Sequence, residues 1–298
     1  MAVTAATAAR AAPVLTLPRR IGWQRRLVRN RLTLLALAIL LLLVLAAISA
    51  PLLTSVDPTA TNLPERLKAP LTPWHLLGTD SLGRDVLVRI VYGSRISLTI
   101  GFGAAIIGLL VGVPLGLLAG YFGGLVDAAI MRLADIQLGF PSILLYISIF
   151  VVLRPDVWTM LLILGVAGWV SHARVIRAQA LAQRRMEYVE AARALGASDL
   201  EIIVRHVLPN VLAPTIVIAS FSIATIIITA ASLSFLGMGL PPSTPDWGLM
   251  IADAVKYIRI AWWPSAFAGV ALSLTVFAVN VLGDWLRDYL DPRLRVET

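Results

Sequence analysis

Long apolar runs constrain the fold of this chain more than any other sequence feature. A helix that crosses the hydrocarbon core of a bilayer needs about 20 mostly apolar residues. Six runs meet this requirement, and they span residues 32–53, 97–120, 128–153, 157–180, 211–235 and 262–285. Only 14% of the residues are charged, whereas soluble domains carry about 25%, so the chain has too few charges to cover a water-facing surface. We therefore predict an all-α polytopic membrane protein with six transmembrane helices.

The first run, 32–53, also has features of a secretory signal peptide, because Ser49 and Ala50 resemble a small-residue cleavage site. Its apolar core is longer than the roughly 7–15 residues that are usual for a signal, and Pro51 follows at once. We therefore predict that this run is retained as an anchor helix.

The distribution of basic residues predicts the orientation. The tail of residues 1–31 holds seven arginines and no acidic residue, and basic residues that flank membrane helices stay in the cytoplasm. Six crossings then place residues 181–210 and the C-terminal residues 291–298 on that same side, where further arginines lie. The loop 54–96 carries five basic residues although it would lie outside, but the two other clusters outweigh it. We predict cytoplasmic N- and C-termini.

The sequence contains no cysteine and no recognisable catalytic motif. Its three histidines are far apart, and no HExxH, GxSxG or phosphate-binding GK[ST] pattern occurs. The net charge is +8. In a membrane protein, an excess of basic residues indicates which loops face the cytoplasm rather than binding to nucleic acid. These features predict neither an enzyme, nor a metal site, nor a nucleic-acid partner.

A charged, helix-prone segment, residues 186–209, interrupts the apolar runs. Strong helix formers lead up to Gly196, which stands where a left-handed residue would end a helix. Ser198 and Glu201 then form a capping-box pattern that starts a second helix, and this helix should end before Pro209. Both helices are shorter than the roughly 12–15 residues that a stable isolated helix needs. The pattern therefore predicts a helix–glycine–helix element that docks against a partner, with a solvated connector as the alternative.

This segment resembles the EAA loop of ABC-importer permeases, in which EAA is followed by three residues, a glycine, nine residues and I-x-L-P. The stretches "EAARALG" and "HVLP" stand at that spacing. The matching residues are Glu190, Ala191, Ala192, Gly196, Leu208 and Pro209. His206 replaces the isoleucine, and the form "RHVLPN" is similar to the peptide and nickel branch, so this departure narrows the resemblance to that branch.

Four further passages carry the same resemblance. They are "HLLGTDSLGRD" from His75, "MRLADIQLGFPSILL" from Met131, "AASLSFLGMGLPP" from Ala230 and "NVLGDWLRDYLDPRLR" from Asn280. All are similar to the C-type inner-membrane subunits of dipeptide, oligopeptide and nickel importers, and the resemblance covers residues 22–296. The chain is thereby identified as a member of that permease family, which implies a type I ABC-importer permease fold.

The resemblance also implies how such a chain works and with which partners. Residues 186–209 would form the coupling helix, seated in a groove of a cytoplasmic ATPase. The expected partners are a second homologous permease subunit, two ATPase subunits, an extracytoplasmic substrate-binding protein and membrane lipid. ATP and Mg²⁺ would be bound by the ATPase subunits, so this chain would need no cofactor. The complex would lie in the bacterial inner membrane.

The implied cargo is a di- or oligopeptide. Nickel complexes and glutathione-like molecules are alternatives, because permeases that resemble this one carry them too. An ion-coupled secondary transporter is the alternative of a different class. It would carry substrate and ion sites near the midplane, often between two related halves, and the sequence shows no such internal symmetry.

These observations divide the chain into five parts. They are a basic cytoplasmic tail (1–31), an anchor helix (32–53), an extracytoplasmic loop with an elbow helix (54–96), a five-helix permease core that includes the coupling loop (97–290) and a cytoplasmic tail (291–298). In the elbow helix, Asp85 and Arg89 are spaced for an i,i+4 ion pair. The loop 240–262 is expected to carry a short helix of its own.

Two sets of polar residues in the membrane runs have more than one interpretation. Arg132 and Asp135 are spaced for an i,i+3 ion pair, but Asp135 is also a candidate to meet the amino group of a peptide. Hydroxyl groups on the fifth run either line a path or bond to helix backbones. They belong to Ser220, Ser222, Thr225 and Thr229. The sequence alone assigns no residue to the substrate path.

Overall fold

The computed structural model describes residues 30–54 and 56–290, and most of the predicted basic tail and the whole of the predicted tail 291–298 lie outside them. The α-helices, in chain order, are α1 (Arg31–Leu53), α2 (Val86–Phe122), α3 (Gly124–Leu138), α4 (Ser142–Val152), α5 (Val157–Ala167), α6 (Trp169–Gln183), α7 (Glu187–Ala194), α8 (Asp199–Glu201), α9 (Leu208–Phe235), α10 (Trp247–Val255) and α11 (Trp263–Leu290). Extended pairing in these two ranges is limited to isolated bridges. The prediction of an all-α fold is confirmed.

Five helical segments are long and apolar enough to cross a membrane. They are α1, α2, α5 together with α6, the continuous stretch Asp199–Phe235 that ends with α9, and α11. α3 and α4 form a further apolar pair that is bent by 84°, and this pair makes a sixth span if it is counted as one. The predicted short helix in the loop 240–262 is α10.

The third predicted run, 128–153, is not one continuous helix. α3 ends at Leu138, and α4 begins after Pro141, which is its N-cap residue. Proline lacks an amide hydrogen and pushes the residue before it out of helical geometry. The chain therefore turns between the two helices, and the expectation of a single helix through this run is wrong.

α2 and α6 pack closely along a row of glycines on α2. An added Cβ atom at Gly112 would lie 2.7 Å from the carbonyl oxygen of Trp169, and one at Gly116 would lie 2.6 Å from that of Ala173. Small residues of this kind let the backbones of membrane helices approach each other. Since α6 has 15 residues, or about 22 Å of helix, the two helices form a tight pair over the second half of α2.

The loop before α2 folds without the predicted elbow helix. Between residues 56 and 85, the only helical element is a 3₁₀ turn, Leu63–Glu65. Asp85 is the N-cap residue of α2 and accepts a hydrogen bond from the Val88 amide at 3.0 Å. The loop is fastened to α11 by the indole of Trp263, which donates to the carbonyl oxygen of Thr79 at 3.1 Å.

The predicted ion pair between Asp85 and Arg89 does not form. Arg89 is 1% exposed and pairs with Asp80, with 2.6 Å between Nη1 and Oδ2. Asp85 instead faces His75, with 2.8 Å between Oδ2 and Nδ1. The i,i+4 rule assumes that both residues lie within a helix, whereas Asp85 stands at the cap with extended backbone geometry.

Candidate coupling segment

Residues 186–209 contain the predicted helix, glycine turn and second helix start. Gly196 adopts a positive φ of 87°. Its amide donates to the carbonyl oxygen of Arg193 at 3.0 Å, and the Ala197 amide donates to that of Ala192 at 3.1 Å. These two bonds form a Schellman motif, which closes the end of α7. Ser198 then caps α8 by accepting a hydrogen bond from the amide three residues later, so the helix–glycine–helix prediction is confirmed.

The second helix does not end before Pro209. The π-helical turn Ile202–Val207 follows α8 and leads directly into α9, with the Leu208 amide bonded to the carbonyl oxygen of Ile203. A proline ring inside an α-helix clashes with the carbonyl group four residues earlier, and the i→i+5 spacing of a π turn shifts that group away. Pro209 is therefore accommodated in the first turn of α9, and the predicted helix end is wrong.

We call residues 186–209 the coupling segment. One of its faces packs into the protein. Val189, Ile202 and Val207 are fully buried. They share a hydrophobic cluster with Tyr121 at the end of α2 and with Ile176 of α6. The segment is thus seated directly against the tightly packed helix pair.

The opposite face is exposed and partly apolar. Leu195 is 89% exposed and Leu200 is 72% exposed. Glu190, Ala191 and Gly196 are exposed as well. Contiguous exposed apolar surface often marks an interaction site. This face therefore offers a docking surface of large apolar side chains, small residues and exposed carboxylates such as that of Glu190.

The remaining residues of the motif lie on or near the packed side. Ala192 and Leu208 are partly buried against the hydrophobic cluster, whereas Pro209 is exposed. His206 is half-buried, and its ring centroid lies 6.3 Å from that of Tyr188. The motif thus combines residues that hold the segment in place with residues that face outward.

A polar joint connects the coupling segment to α2. The hydroxyl group of Tyr121 donates to Oδ1 of Asp199 at 2.6 Å and accepts a hydrogen bond from Nη2 of Arg193 at 3.2 Å. The Arg193 guanidinium also lies 6.0 Å from the centre of the Tyr121 ring. Tyr121 was not predicted from the sequence. The one feature that could have indicated its role is that an aromatic residue with a hydroxyl group stands at the end of an apolar run.

A second joint connects the coupling segment to α6 and α9. The Tyr188 hydroxyl donates to Oε1 of Gln183 at 2.5 Å and accepts a hydrogen bond from Nδ2 of Asn210 at 3.3 Å. Asn210 also donates to the carbonyl oxygen of His206 at 2.7 Å. These bonds surround the π turn and satisfy polar groups that a regular helix would have paired along its own backbone.

The predicted pair between Arg132 and Asp135 does not form. Asp135 pairs with Arg174 of α6, with 2.5 Å between Oδ1 and Nη2. A second ion pair on the same two helices joins Asp127 to Arg177, with 2.6 Å between Oδ2 and Nη2. An arginine on the neighbouring helix therefore takes the place of the arginine within the same helix.

The four hydroxyl groups on α9 bond to their own helix. Ser220 donates to the carbonyl oxygen of Ile216 at 2.9 Å, and Thr229 donates to that of Thr225 at 2.8 Å. Ser222 and Thr225 likewise bond to backbone oxygens of α9. The two predicted roles were to line a path and to bond to helix backbones. The structure shows the bonds to the backbone of α9.

Comparison with known sequences places this arrangement among membrane transport components. Residues 112–296 match the family described as binding-protein-dependent transport system inner membrane component. Residues 20–70 match the N-terminal transmembrane domain of oligopeptide transport permease C.

Two curated relatives and one solved structure illustrate the similarity. A putative peptide transport system permease protein of Brucella suis is 43% identical over 273 residues, which is 92% of each chain. The dipeptide transport system permease protein DppC of Alkalihalophilus pseudofirmus is 42% identical, over 91% of this chain and 89% of its own. The inward-facing MetNI methionine ABC transporter is similar in fold, with a TM-score of 0.55 and 20% identity over 69% of this chain and 96% of the matched chain.

Proposed function

Because this chain belongs to the family of binding-protein-dependent transport system inner membrane components, we propose that it carries peptides through a path that opens and closes with the movement of its coupling segment. The chain is a permease subunit of an ABC importer and not an enzyme. The observation that carries the proposal is the coupling segment itself, which exposes Leu195 and Leu200 on one face and bonds to Tyr121 of α2 on the other.

The family implies partner ATPases and a partner permease. In our proposal, the coupling segment and both chain termini lie in the cytoplasm. Two ATPase subunits bind to the permease on this side. A second, homologous permease subunit completes the path. A substrate-binding protein approaches from the other side, where the loop 54–96 lies, and the complex spans the bacterial inner membrane.

The exposed face of the coupling segment docks into a groove on an ATPase subunit. Leu195 and Leu200 fill apolar positions there, and the small residues Ala191 and Gly196 allow close approach. Glu190 is exposed on the same helix and contacts the ATPase rather than the cargo. ATP and Mg²⁺ are bound by the ATPase subunits, so this chain takes part in coupling without holding a cofactor.

Movement of the ATPase reaches the membrane helices through the two joints and the packed cluster. Tyr121 transfers the displacement of Asp199 to α2, and the close contact between Gly116 and Ala173 makes α6 follow. Tyr188 transfers it to α9 through Asn210. Packed cores are bistable rather than continuously deformable, so a small shift of the segment selects between discrete helix arrangements.

Peptide cargo is supported by the names of the relatives, which are peptide and dipeptide permeases. We assign no cargo-binding role to Asp135, because its carboxylate is already paired with Arg174. Nickel complexes and glutathione-like molecules are the other cargoes that the resemblance allows.

Reconstitution of the full complex in proteoliposomes tests this function. The vesicles would hold ATP inside in one sample and lack it in the other, and the binding protein would be added outside. Uptake of labelled di- and oligopeptides that depends on ATP is the expected result. Uptake of a nickel complex or of glutathione with no uptake of peptide would contradict the cargo, and uptake by this chain alone under an ion gradient would contradict the mechanism.

A further inference from the structure

A cavity of about 850 Å³ opens between α6, α9 and α11, beside the coupling segment. It is lined by Val175, Gln179, Gln183, Asn210, Ala213, Pro214, Val217, Ile218, Phe221, Arg287 and Leu290. Gln183 and Asn210 of the second joint border this cavity, whereas the docking face does not include it.

The cavity is polar at one end and apolar at the other. Gln183 is the last residue of α6, Asn210 lies in the first turn of α9, and Arg287 lies in the last turn of α11. These side chains therefore meet at the end of the cavity that lies next to the coupling segment. Val217 and Phe221 follow two to three turns further along α9, about 10–16 Å deeper.

The polar end offers donors without partners. Arg287 forms no ion pair within residues 30–54 and 56–290, even though Asp284 and Asp288 are close to it on α11. Gln183 uses only its Oε1 atom, which accepts from Tyr188, so its amide hydrogens remain available. A guanidinium and amide donors at the mouth of an apolar cleft match an anionic head group that carries a hydrocarbon chain.

We propose that this cavity binds an anionic phospholipid of the cytoplasmic leaflet, and the assignment of that leaflet rests on the proposed function. The phosphodiester accepts hydrogen bonds from Arg287 and from the side-chain amide of Gln183, whereas both amide hydrogens of Asn210 are used within the protein. An acyl chain lies along Val217 and Phe221, where a transported peptide would find no partners for its backbone groups. The lipid thus supplies a counter-charge that residues 30–54 and 56–290 do not provide for Arg287.

The position of the site makes the lipid a regulator of coupling. Gln183 and Asn210 both hydrogen-bond to the hydroxyl group of Tyr188, and Tyr188 belongs to α7 of the coupling segment. A head group that binds the amide of Gln183 also fixes the orientation of that side chain. Occupancy of the cavity therefore stabilises the joint that holds α7 against α6 and α9.

Lipid retention by the purified complex tests the proposal. The full complex is purified in micelles that contain phosphatidylcholine and phosphatidylglycerol, and co-purifying lipid is quantified by mass spectrometry. Arg287→Gln is expected to retain about tenfold less phosphatidylglycerol, which is the change that loss of one charge-assisted contact produces. Ala213→Phe, which narrows the cavity and leaves every charge in place, is expected to show the same loss.

Arg185→Gln is the matched control, because Arg185 is an exposed arginine at the same end of the molecule and does not line the cavity. It is expected to retain phosphatidylglycerol like the wild type, and soluble glycerol phosphate is expected not to displace the lipid. Equal retention by the Arg287 and Arg185 variants overturns the proposal. Displacement by glycerol phosphate contradicts a lipid as the occupant of the cavity. Retention of lipid by the isolated chain but not by the complex also overturns the proposal, because the second permease then covers the cavity. Peptide uptake is measured separately, so failure of the proposed function remains distinguishable.

Discussion

The hydroxyl group of Tyr121 lies 2.6 Å from Oδ1 of Asp199, and this hydrogen bond joins the last turn of α2 to the first residue of α8. Tyr121 is 3% exposed, whereas Asp199 is exposed, so the bond lies at the edge of the packed cluster. Arg193 completes the joint from the end of α7. One phenol group therefore holds both helices of the coupling segment to α2, a membrane helix of 37 residues.

Tyr121→Phe removes this joint while the ring stays in the hydrophobic cluster. A hydrogen bond to a charged group contributes about 1.5–3 kcal/mol, so we expect the reconstituted complex to hydrolyse ATP but to import less cargo per ATP. Uptake and hydrolysis measured in the same proteoliposomes check this. Tyr92→Phe, on the same helix but at the far end from the coupling segment, is the control and should leave the ratio unchanged. An unchanged ratio for Tyr121→Phe would remove Tyr121 from the coupling mechanism.

Glu190→Lys tests the docking face directly. The side chain is exposed on α7, so the substitution should not disturb folding, but it reverses the charge that the ATPase groove meets. We expect weaker association with the ATPase subunits and impaired uptake, with substrate capture by the binding protein intact. Glu190→Gln, which removes this charge without reversing it, is expected to weaken the association less. Normal uptake by Glu190→Lys would mean that this side chain has no part in docking.

Gly116→Val tests whether α2 and α6 act as one unit. The new Cβ atom would lie 2.6 Å from the carbonyl oxygen of Ala173, and overpacking of this kind costs about 1–3 kcal/mol. We expect a lower melting temperature in detergent and reduced uptake. Gly269→Val is the control, since it places the same side chain in a membrane helix where nothing lies within 4 Å of the new atom. Equal melting temperatures for the two variants would contradict the close packing of α2 and α6.

The loop before α2 is expected to lose stability as the pH rises. Burial lowers the pKa of His75, but hydrogen bonds to Asp85 and Glu65 outweigh it, so the pKa is raised above 6.5 in the folded protein. The facing groups are these two carboxylates, with Lys68 bonded to the far side of Glu65. A raised pKa gives stability that is present in full below the unfolded value and disappears as the pH rises through the folded value.

The comparison of wild type with His75→Gln measures this effect. The variant keeps a hydrogen-bonding side chain but cannot take up a proton, so its melting temperature should fall below that of the wild type most clearly at pH 5.5. The gap should close toward pH 8.5. A gap that is constant or that widens with pH would show that His75 is not protonated between its two carboxylates.

The features of the coupling segment that could be predicted from the sequence are local. The turn at Gly196 could be predicted because every group in its Schellman motif lies within six consecutive residues. The bond between Tyr121 and Asp199 joins residues 78 positions apart, and no local spacing reports it. Asp135 likewise pairs with Arg174 on α6 and not with the predicted Arg132 on its own helix. The i,i+3 spacing rule considers residues of one helix only and gives no information about neighbouring helices.

The course of the chain at Pro209 could not be predicted from residue preferences alone. Proline ends an α-helix because of its ring and its missing amide hydrogen, and the sequence interpretation therefore ended the helix there. The structure continues the helix by widening one turn, and this requires other donors for the carbonyl groups of that turn. Asn210 supplies one of them by bonding to the His206 carbonyl oxygen.

Gly196→Val tests the turn on which the docking face depends. Gly196 has a φ of 87°, and nothing lies within 4 Å of an added Cβ atom, so the penalty for valine comes from the backbone and not from a clash. Strain of this kind costs about 1–3 kcal/mol, which is too little to prevent insertion of long apolar helices but enough to change the angle between α7 and α8. We expect normal amounts of the variant in the membrane, poor binding of the ATPase subunits and loss of uptake, with a milder effect for Gly196→Ala. Gly237→Val is the control, because Gly237 also has a positive φ and open surroundings but lies outside the coupling segment. ATPase binding that is normal in the Gly196 variant, or equally weak in both variants, would show that the turn does not orient the docking face.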